Sequence, residues 1–357
     1  MLGILGLFGA LLAGVVADSF IGGMMGKSDS ASGDDPAPDA DQAEVTENGT
    51  DMLDWADVDA AVVGMGDSPY DDPDYAVVSD DSVSVDDPDQ VITGGAQDDI
   101  IVGRGGDDRM AGGSGDDLMA GGAGADMMQG GNGADIGHGG AGADTLQGGA
   151  GHDLLLGDAG DDWLTGGKGD DTLLGHDGAD HLYGSVGQDT LVGGSGHDRL
   201  NGGADADWLA GGAGADTLIG GAGSDTLDGG LGKDSLDGRG GPGAFPEMDF
   251  LNGGNGDDLL QVGAGDYATG GDGADWFELS DMTAGDAVAN IADFDANEDT
   301  LLVVFDPAMH PDPVLSFETP KNAADVIVLL DGVALALVQG GAGMTANDVL
   351  MTPAQAA

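Results

Sequence analysis

Residues 139–174 read GGAGADTLQ, GGAGHDLLL, GDAGDDWLT and GGKGDDTLL, four units of nine with Asp sixth and Leu eighth in each. Neither an α-helix nor an ordinary strand repeats every nine residues, so the unit combines a turn with a strand. Glycine at positions 1, 2 and 4 permits a six-residue turn. A three-residue strand follows, with position 8 pointing inward and positions 7 and 9 outward. Two units complete one coil of a flattened solenoid, and stacked coils form two short-stranded parallel sheets with the position-8 side chains between them. The expected fold is all-β, a right-handed parallel β-roll.

Outward from this stretch the period runs unbroken from Gly94 to Asp237, sixteen units in all. Position 6 is Asp every time: Asp99, Asp108, Asp117, Asp126, Asp135, Asp144, Asp153, Asp162, Asp171, Asp180, Asp189, Asp198, Asp207, Asp216, Asp225 and Asp234. Position 8 is Ile, Met or Leu except at Gly137, where Ile136 stands one place early and predicts a small void or a shifted strand. After Gly238-Arg239-Gly240-Gly241 six additional residues intervene before Met248-Asp249-Phe250-Leu251-Asn252 restores the register. GGNGDDLLQ (253–261) is regular, the next unit is one residue short, and GGDGADWFE (270–278) closes the array.

The acids in one column require a partner. Each turn lies over the turn eighteen residues later, which sets Asp99 near Asp117 and Asp108 near Asp126. Stacked strands are about 4.8 Å apart. Two bare carboxylates at that separation repel by roughly 3.5 kcal/mol at an effective dielectric of about 20. Repeated along the column, this exceeds the roughly 5–15 kcal/mol that stabilises a domain. A divalent cation between turns reverses the sign. The ligands on offer are carboxylates and backbone carbonyls in a flexible loop, which favours several Ca²⁺ ions over Mg²⁺.

The whole chain carries the same bias. Its 357 residues include 67 Asp or Glu, 8 Lys or Arg and 72 Gly, with a net charge of -59. Such acidity excludes nucleic acid and opposes docking on anionic lipid. There is no Cys, which removes disulfides, thiol catalysis and Cys-ligated zinc. Residues 1–26 are almost wholly apolar, with Asp18 the only charge, and read as a signal or membrane-anchor segment. No Lys or Arg precedes the run, so cleaved signal, retained anchor and fold-packed helix all stand. Residues 27–93 hold 20 acids and five prolines without fixed spacing, the composition of a disordered linker. Residues 279–357 carry the β-forming runs 300–305, 326–330 and 333–338, with Asp331-Gly332 signalling a tight hairpin. Met344 to Met351 reads as a short terminal helix. Together these predict a small β-rich cap.

The GGxGxDxUx array resembles the RTX (repeats-in-toxin) calcium-binding family of β-roll proteins. The resemblance covers residues 94–278. It implies Ca²⁺ held between successive turns by the sixteen Asp named above and by loop carbonyls, with Asp249, Asp258 and Asp275 continuing the set. The segment around Trp276-Phe277, Ile291-Ala292-Asp293-Phe294 and 333–350 is similar to the region that follows such arrays in serralysin-like proteins exported by type I machinery. This implies a secreted or surface protein whose roll folds on meeting extracellular Ca²⁺. A calcium-dependent adhesin or matrix component binding polysaccharide or a surface partner is the alternative.

Enzyme signatures are missing. No H-E-x-x-H and no G-x-S-x-G occurs. His138, His152, His176, His181 and His197 stand at unrelated repeat positions and read, with His310, as solvent-facing loop residues rather than a zinc site. Asp293-x-Asp295-x-Asn297-x-Asp299 mimics the first half of an EF-hand loop, but Glu298 takes the Gly position and Val304 that of the bidentate Glu. A strand-edge turn is expected there. Trp163 and Trp208 fall at position 7 on opposite sheets and form no common platform.

Overall fold

The computed structural model describes residues 76–78, 89–240, 247–280, 286–320, 324–341 and 343–354. The apolar segment 1–26 and most of the acidic stretch 27–93 lie outside the described residues. Within them the chain is all-β, and its strands alternate between a fifteen-stranded and a thirteen-stranded sheet. Thr145–Ala150, Trp163–Lys168 and His181–Val186 are parallel neighbours in the thirteen-stranded sheet. Leu154–Ala159, Thr172–Asp177 and Thr190–Gly196 are neighbours in the other. Leu146, Leu164 and Leu182 stand in register, eighteen residues apart, as two units per coil require.

The core is the position-8 column. Leu146, Leu164, Leu173, Leu182 and Leu191 retain 0% exposure, and each such burial stabilises by roughly 1.5–3 kcal/mol. The strands are longer than the expected three residues: Thr145–Ala150 spans positions 7 to 9 and the first three of the next unit. Position 2 rejoins the ladder with its φ positive, as at Gly149 (126°), so the chain bends at position 1 and still pairs beyond it. At Gly137 the strand has not shifted. Ile136 pairs with Leu118 and Leu154 at position 7, and Gly137 with Met119 and Leu155. Leu155 and Leu146 lean toward the missing side chain, within 3.3 and 3.5 Å of where a Cβ would sit.

The array also begins earlier and ends later than its glycines. Val91–Thr93 is already a strand, parallel to Arg109–Ser114, with Ile92 in the core. The insertion before Met248 leaves the register intact, since Thr226 pairs with Phe250 across 24 residues. Arg239 braces that place from one side. Its guanidinium donates to both Asp237 carboxylate oxygens at 2.8 and 2.9 Å, to Gln261 Oε1 at 2.7 Å and to Ser280 Oγ at 3.0 Å. Three successive coils are thereby tied together.

The C-terminal region continues both sheets. Ala289–Ile291 extends one sheet and Thr300–Phe305 the other, each parallel to the preceding coil. The hairpin forms where Asp331-Gly332 predicts it, with φ of 51° and 83° at the turn and antiparallel strands Val326–Leu330 and Val333–Val338. The expected terminal helix is absent. Asp348 Oδ2 accepts from the Thr345 amide and hydroxyl, closing a turn instead. Val349–Pro353 then pairs in parallel with Thr300–Phe305. A run this short, with Val349 and Thr352 β-branched and Pro353 unable to continue a helix, gains more from an open sheet edge than from one isolated helical turn. Among the described residues no helix is long and apolar enough to cross a membrane.

Candidate metal centre

Every position-6 Asp of the unbroken array is buried, as are Asp249, Asp258 and Asp275. The strand geometry sets what each carboxylate meets. Oδ1 accepts the backbone N–H of the position-6 residue one coil earlier: Asp99 N–H donates to Asp117 at 2.8 Å, and Asp153 N–H to Asp171 at 2.9 Å. The same contact recurs along both edges of the roll, so each acid is half satisfied. The other oxygen is not. From Asp117 to Asp234, and again at Asp258 and Asp275, Oδ2 is buried without a hydrogen-bond donor.

What surrounds that oxygen explains the glycine at position 1. A Cβ added to Gly121 would collide with Asp126 Oδ2 and with the carbonyl oxygen of Gly139 in the next coil; Gly157 is flanked alike by Asp162 Oδ2 and the Gly175 carbonyl. Two acceptors thus flank one point from which any side chain is excluded. Buried acceptors facing each other without a donor are costly. An oxygen-liganded cation satisfies both. No group of three or more His, Cys, Asp or Glu side chains forms a metal cage among the described residues, and the position-1 carbonyls are the acceptors nearest the free carboxylate oxygens.

Burial pushes these carboxyls upward. Asp162, Asp171, Asp198 and Asp207 rise from the ordinary value to about 7, and Asp135, Asp144, Asp189 and Asp234 to about 6. Desolvation is the largest cause in each case. The accepted backbone N–H opposes it, and repulsion from neighbouring acids adds less. This corrects the weighting drawn from sequence, which placed mutual repulsion first: an Oδ1 occupied by a backbone N–H is not facing its neighbour bare.

A family model described as RTX calcium-binding nonapeptide repeat (4 copies) matches eight overlapping segments between residues 93 and 242. Residues 93–242 are an RTX array. RTX nonapeptide repeats bind multiple Ca²⁺ ions, and the acceptor-only turns fit that ion. No curated protein matches the chain.

Beyond the glycine-rich units, the RTX column holds two acids that the repeat count missed. Asp266, in the short unit, accepts the Asp249 N–H at 3.0 Å, and Asp299 accepts the Asp275 N–H at 3.0 Å. Counting back from the inward-facing Ala268 places Asp266 at position 6 despite the deletion. Asp299 lies inside the stretch that mimics an EF-hand. There Asp293 instead accepts the N–H groups of Gly270 and Gly271, at 3.0 and 2.9 Å. Asp295 and Asn297 form a local turn, with the Asn297 amide N–H 2.9 Å from Asp295 Oδ1.

The six histidines are partnered rather than idle. His152 and His197 share position 5, and each Nδ1 accepts the backbone N–H of the residue eighteen places on. Asp98, Asp107 and Asp116 do the same from position 5 with a carboxylate. His181 stacks on Trp163 at 5.0 Å, and His310 pairs with Asp331 at 2.7 Å. His138 and His176 flank Asp158 at 3.4 and 3.3 Å. Burial would raise the Asp158 carboxyl, but hydrogen bonds from both imidazoles outweigh it and hold the group well below the carboxylate range. Asp158 and His176 both occupy position 2 with φ of 70° and 75°, a conformation that costs a non-glycine residue about 1 kcal/mol or more.

Proposed function

We propose that the protein is a secreted or surface-exposed, non-enzymatic calcium-binding array whose RTX roll folds only when Ca²⁺ occupies its turns. The observation that carries this reading is the file of buried, donor-less Oδ2 atoms from Asp117 to Asp234. Asp99, Asp108, Asp117, Asp126, Asp135, Asp144, Asp153, Asp162, Asp171, Asp180, Asp189, Asp198, Asp207, Asp216, Asp225 and Asp234 line those turns, with Asp258 and Asp275 continuing them and Asp249 across the insertion. Without cations each turn buries an unsatisfied anion. A cation that binds only the folded state adds its binding free energy to folding. In a compartment poor in free Ca²⁺ the chain remains an extended polyanion suited to threading through a type I exporter. At the millimolar Ca²⁺ outside the cell, near the affinity of extracellular calcium modules at about 10⁻⁴–10⁻³ M, it folds. The domain plan proposed with it is an apolar signal or anchor segment 1–26, an acidic linker 27–93, the calcium array 94–278 and a β-rich cap 279–357. Far-UV circular dichroism of the full chain, titrated from chelator to millimolar Ca²⁺, tests this. A cooperative gain of β signal is expected, and unchanged spectra would remove the central claim.

A second reading, an adhesin for neutral polysaccharide, rests on the outer face of the thirteen-stranded sheet. Between Arg109 and Ile219 its outward positions 7 and 9 carry no acid. Gln129, Gln147, Thr165, Tyr183 and Asn201 form one row there, beside an exposed Trp163 that stacks on His181 and Tyr183. A glycan array probed with and without Ca²⁺ separates the two readings: calcium-dependent signal lost in Gln147→Ala supports adhesion, and a blank array removes it.

A further inference from the structure

The acids form two files, one along each edge of the roll. One runs from Asp99 through Asp117 and its successors to Asp225, Asp249 and Asp266. The other runs from Gln90 through Asp108 and its successors to Asp258, Asp275 and Asp299. Gln90 belongs to this second file because its backbone N–H donates to Asp108 Oδ1 at 2.7 Å, the contact that every interior member makes. Three of the four file ends differ from the interior in the same way.

Asp99 is the exception: its Oδ2 accepts the N–H of Gly95, in its own turn, at 2.6 Å, but its Oδ1 stays buried without a donor. At Asp266 the Oδ2 accepts the N–H of Gly263, three residues back, at 2.6 Å; deletion of one residue from that unit places this amide beside the acid. At Asp299 the Oδ2 accepts the N–H of Asp295 at 2.7 Å. At the fourth end the acid itself is replaced. Gln90 presents Nε2 to the carbonyl of Gly103 at 3.3 Å. That carbonyl is the position-1 acceptor which, at interior turns such as Gly139 and Gly175, faces a carboxylate across the empty Cβ point. Where an interior turn leaves the carboxylate Oδ2 without a donor, the ends at Asp266 and Asp299 supply it one N–H and Gln90 brings its own.

We infer that three of the four file ends, at Gln90, Asp266 and Asp299, are closed by ion-independent caps, and that calcium stops short of them. The inference rests on the calcium reading above and adds where the sites stop. The physical reason is that a terminal acid has a position-6 acid on one side only and offers half the ligands. A hydrogen bond within the chain satisfies the terminal carboxylate without an ion, so the roll's ends can form before the first ion binds.

The test counts bound Ca²⁺ per full-length chain by native mass spectrometry at saturating Ca²⁺. Circular dichroism on the same samples confirms the folded state. Asp171→Asn, in the interior, should lose at least one ion. Asp266→Asn and Asp299→Asn should keep the wild-type count. Gln90→Glu should gain one, because it recreates the interior pair of carboxylate and position-1 carbonyl. Loss of an ion from Asp266→Asn or Asp299→Asn would overturn the caps, as would an unchanged count in Gln90→Glu. If the wild-type chain itself binds no Ca²⁺, the calcium reading fails instead. Should one end variant fail to fold, the variant at the other file's end still decides the matter.

Discussion

The coils of residues 94–278 and the region 289–353 share two continuous sheets, yet they are held together by different means. In the array nearly every unit, Gly137 and Ala268 apart, buries one Leu-sized side chain or larger and, at its edge, a carboxylate with an unsatisfied oxygen. Past residue 289 the core widens to Ile291, Phe294, Leu301, Val328, Leu335 and Val338, and Phe277 packs on Phe294 at 6.0 Å between ring centres. The acids there end in turns with protein donors, as at Asp293, Asp299 and Asp348. One sheet architecture thus serves two regimes. A thin apolar core suffices only if something else neutralises the edges, and a fuller core makes the ion unnecessary.

Chelation should separate the two most widely. Amide hydrogen exchange of the full chain in chelator should show loss of protection across residues 112–234 while the hairpin 326–338 exchanges least. Equal loss in both regions would show that the cap depends on the ions as much as the array does.

Protons offer a second way to break the comparison. In the ion-free roll burial raises these carboxyls above the ordinary value of 3.8, Asp135 to about 6 and Asp162 and Asp198 to about 7. The folded state therefore holds protons that the unfolded chain releases. Stability from these groups is fully present below the unfolded value and is lost as pH rises through the folded values. With chelator present, lowering the pH from 8 toward 4 should restore β signal in circular dichroism, protons standing in for calcium. A monotonic loss of signal on acidification would contradict the burial argument. The cap strands, lacking such a file, should contribute little to that slope.

How far sequence alone reached follows the same division. In the array the nine-residue period is the structure: once Asp171 and Leu173 are placed, every equivalent is placed, because one coil templates the next. The departures were legible only in coordinates. Asp266 hides behind a one-residue deletion, and Asp299 behind a false calcium-loop pattern. Gln90 has no glycine near it to mark its register, and only its contacts with Asp108 and Gly103 reveal its place. The misread terminal helix failed for a related reason: the open edge of Thr300–Phe305 was a tertiary partner that local propensity could not see. The strand length was misjudged because position-2 glycines rejoin the ladder after the bend.

Single substitutions should sharpen the contrast by smaller amounts. Leu335→Ala, in the cap core, should cost about 2–5 kcal/mol by cavity formation, with little change in the calcium midpoint of the array. Asp171→Asn should instead raise that midpoint several-fold and leave the cap's exchange rates alone. Thermal unfolding with parallel calcium titration reads both. A Leu335→Ala variant whose calcium midpoint moves as far as that of Asp171→Asn would mean the regions fold as one unit.

The smallest effect is expected where the array breaks its own rule. Asp158 is an acid with imidazole partners of its own, His138 and His176, whose ring nitrogens lie within 3.4 Å. His176 holds this place at φ 75°, where glycine would sit without strain, and its hydrogen bond to Asp158 raises its pKa. A raised folded pKa contributes stability below the unfolded value near 6.5 and loses it as pH rises through the folded value. The pair is partly exposed, so its contribution lies at the surface scale of about 0–1 kcal/mol. The strain that glycine relieves is of similar size, about 1 kcal/mol. In calcium-loaded protein, His176→Gly should therefore be near neutral at pH 6 and stabilising by up to about 1 kcal/mol at pH 9, measured by denaturant midpoint. A variant destabilised equally at both pH values would show that the imidazole acts by packing alone, and the charge account of this cluster would fall.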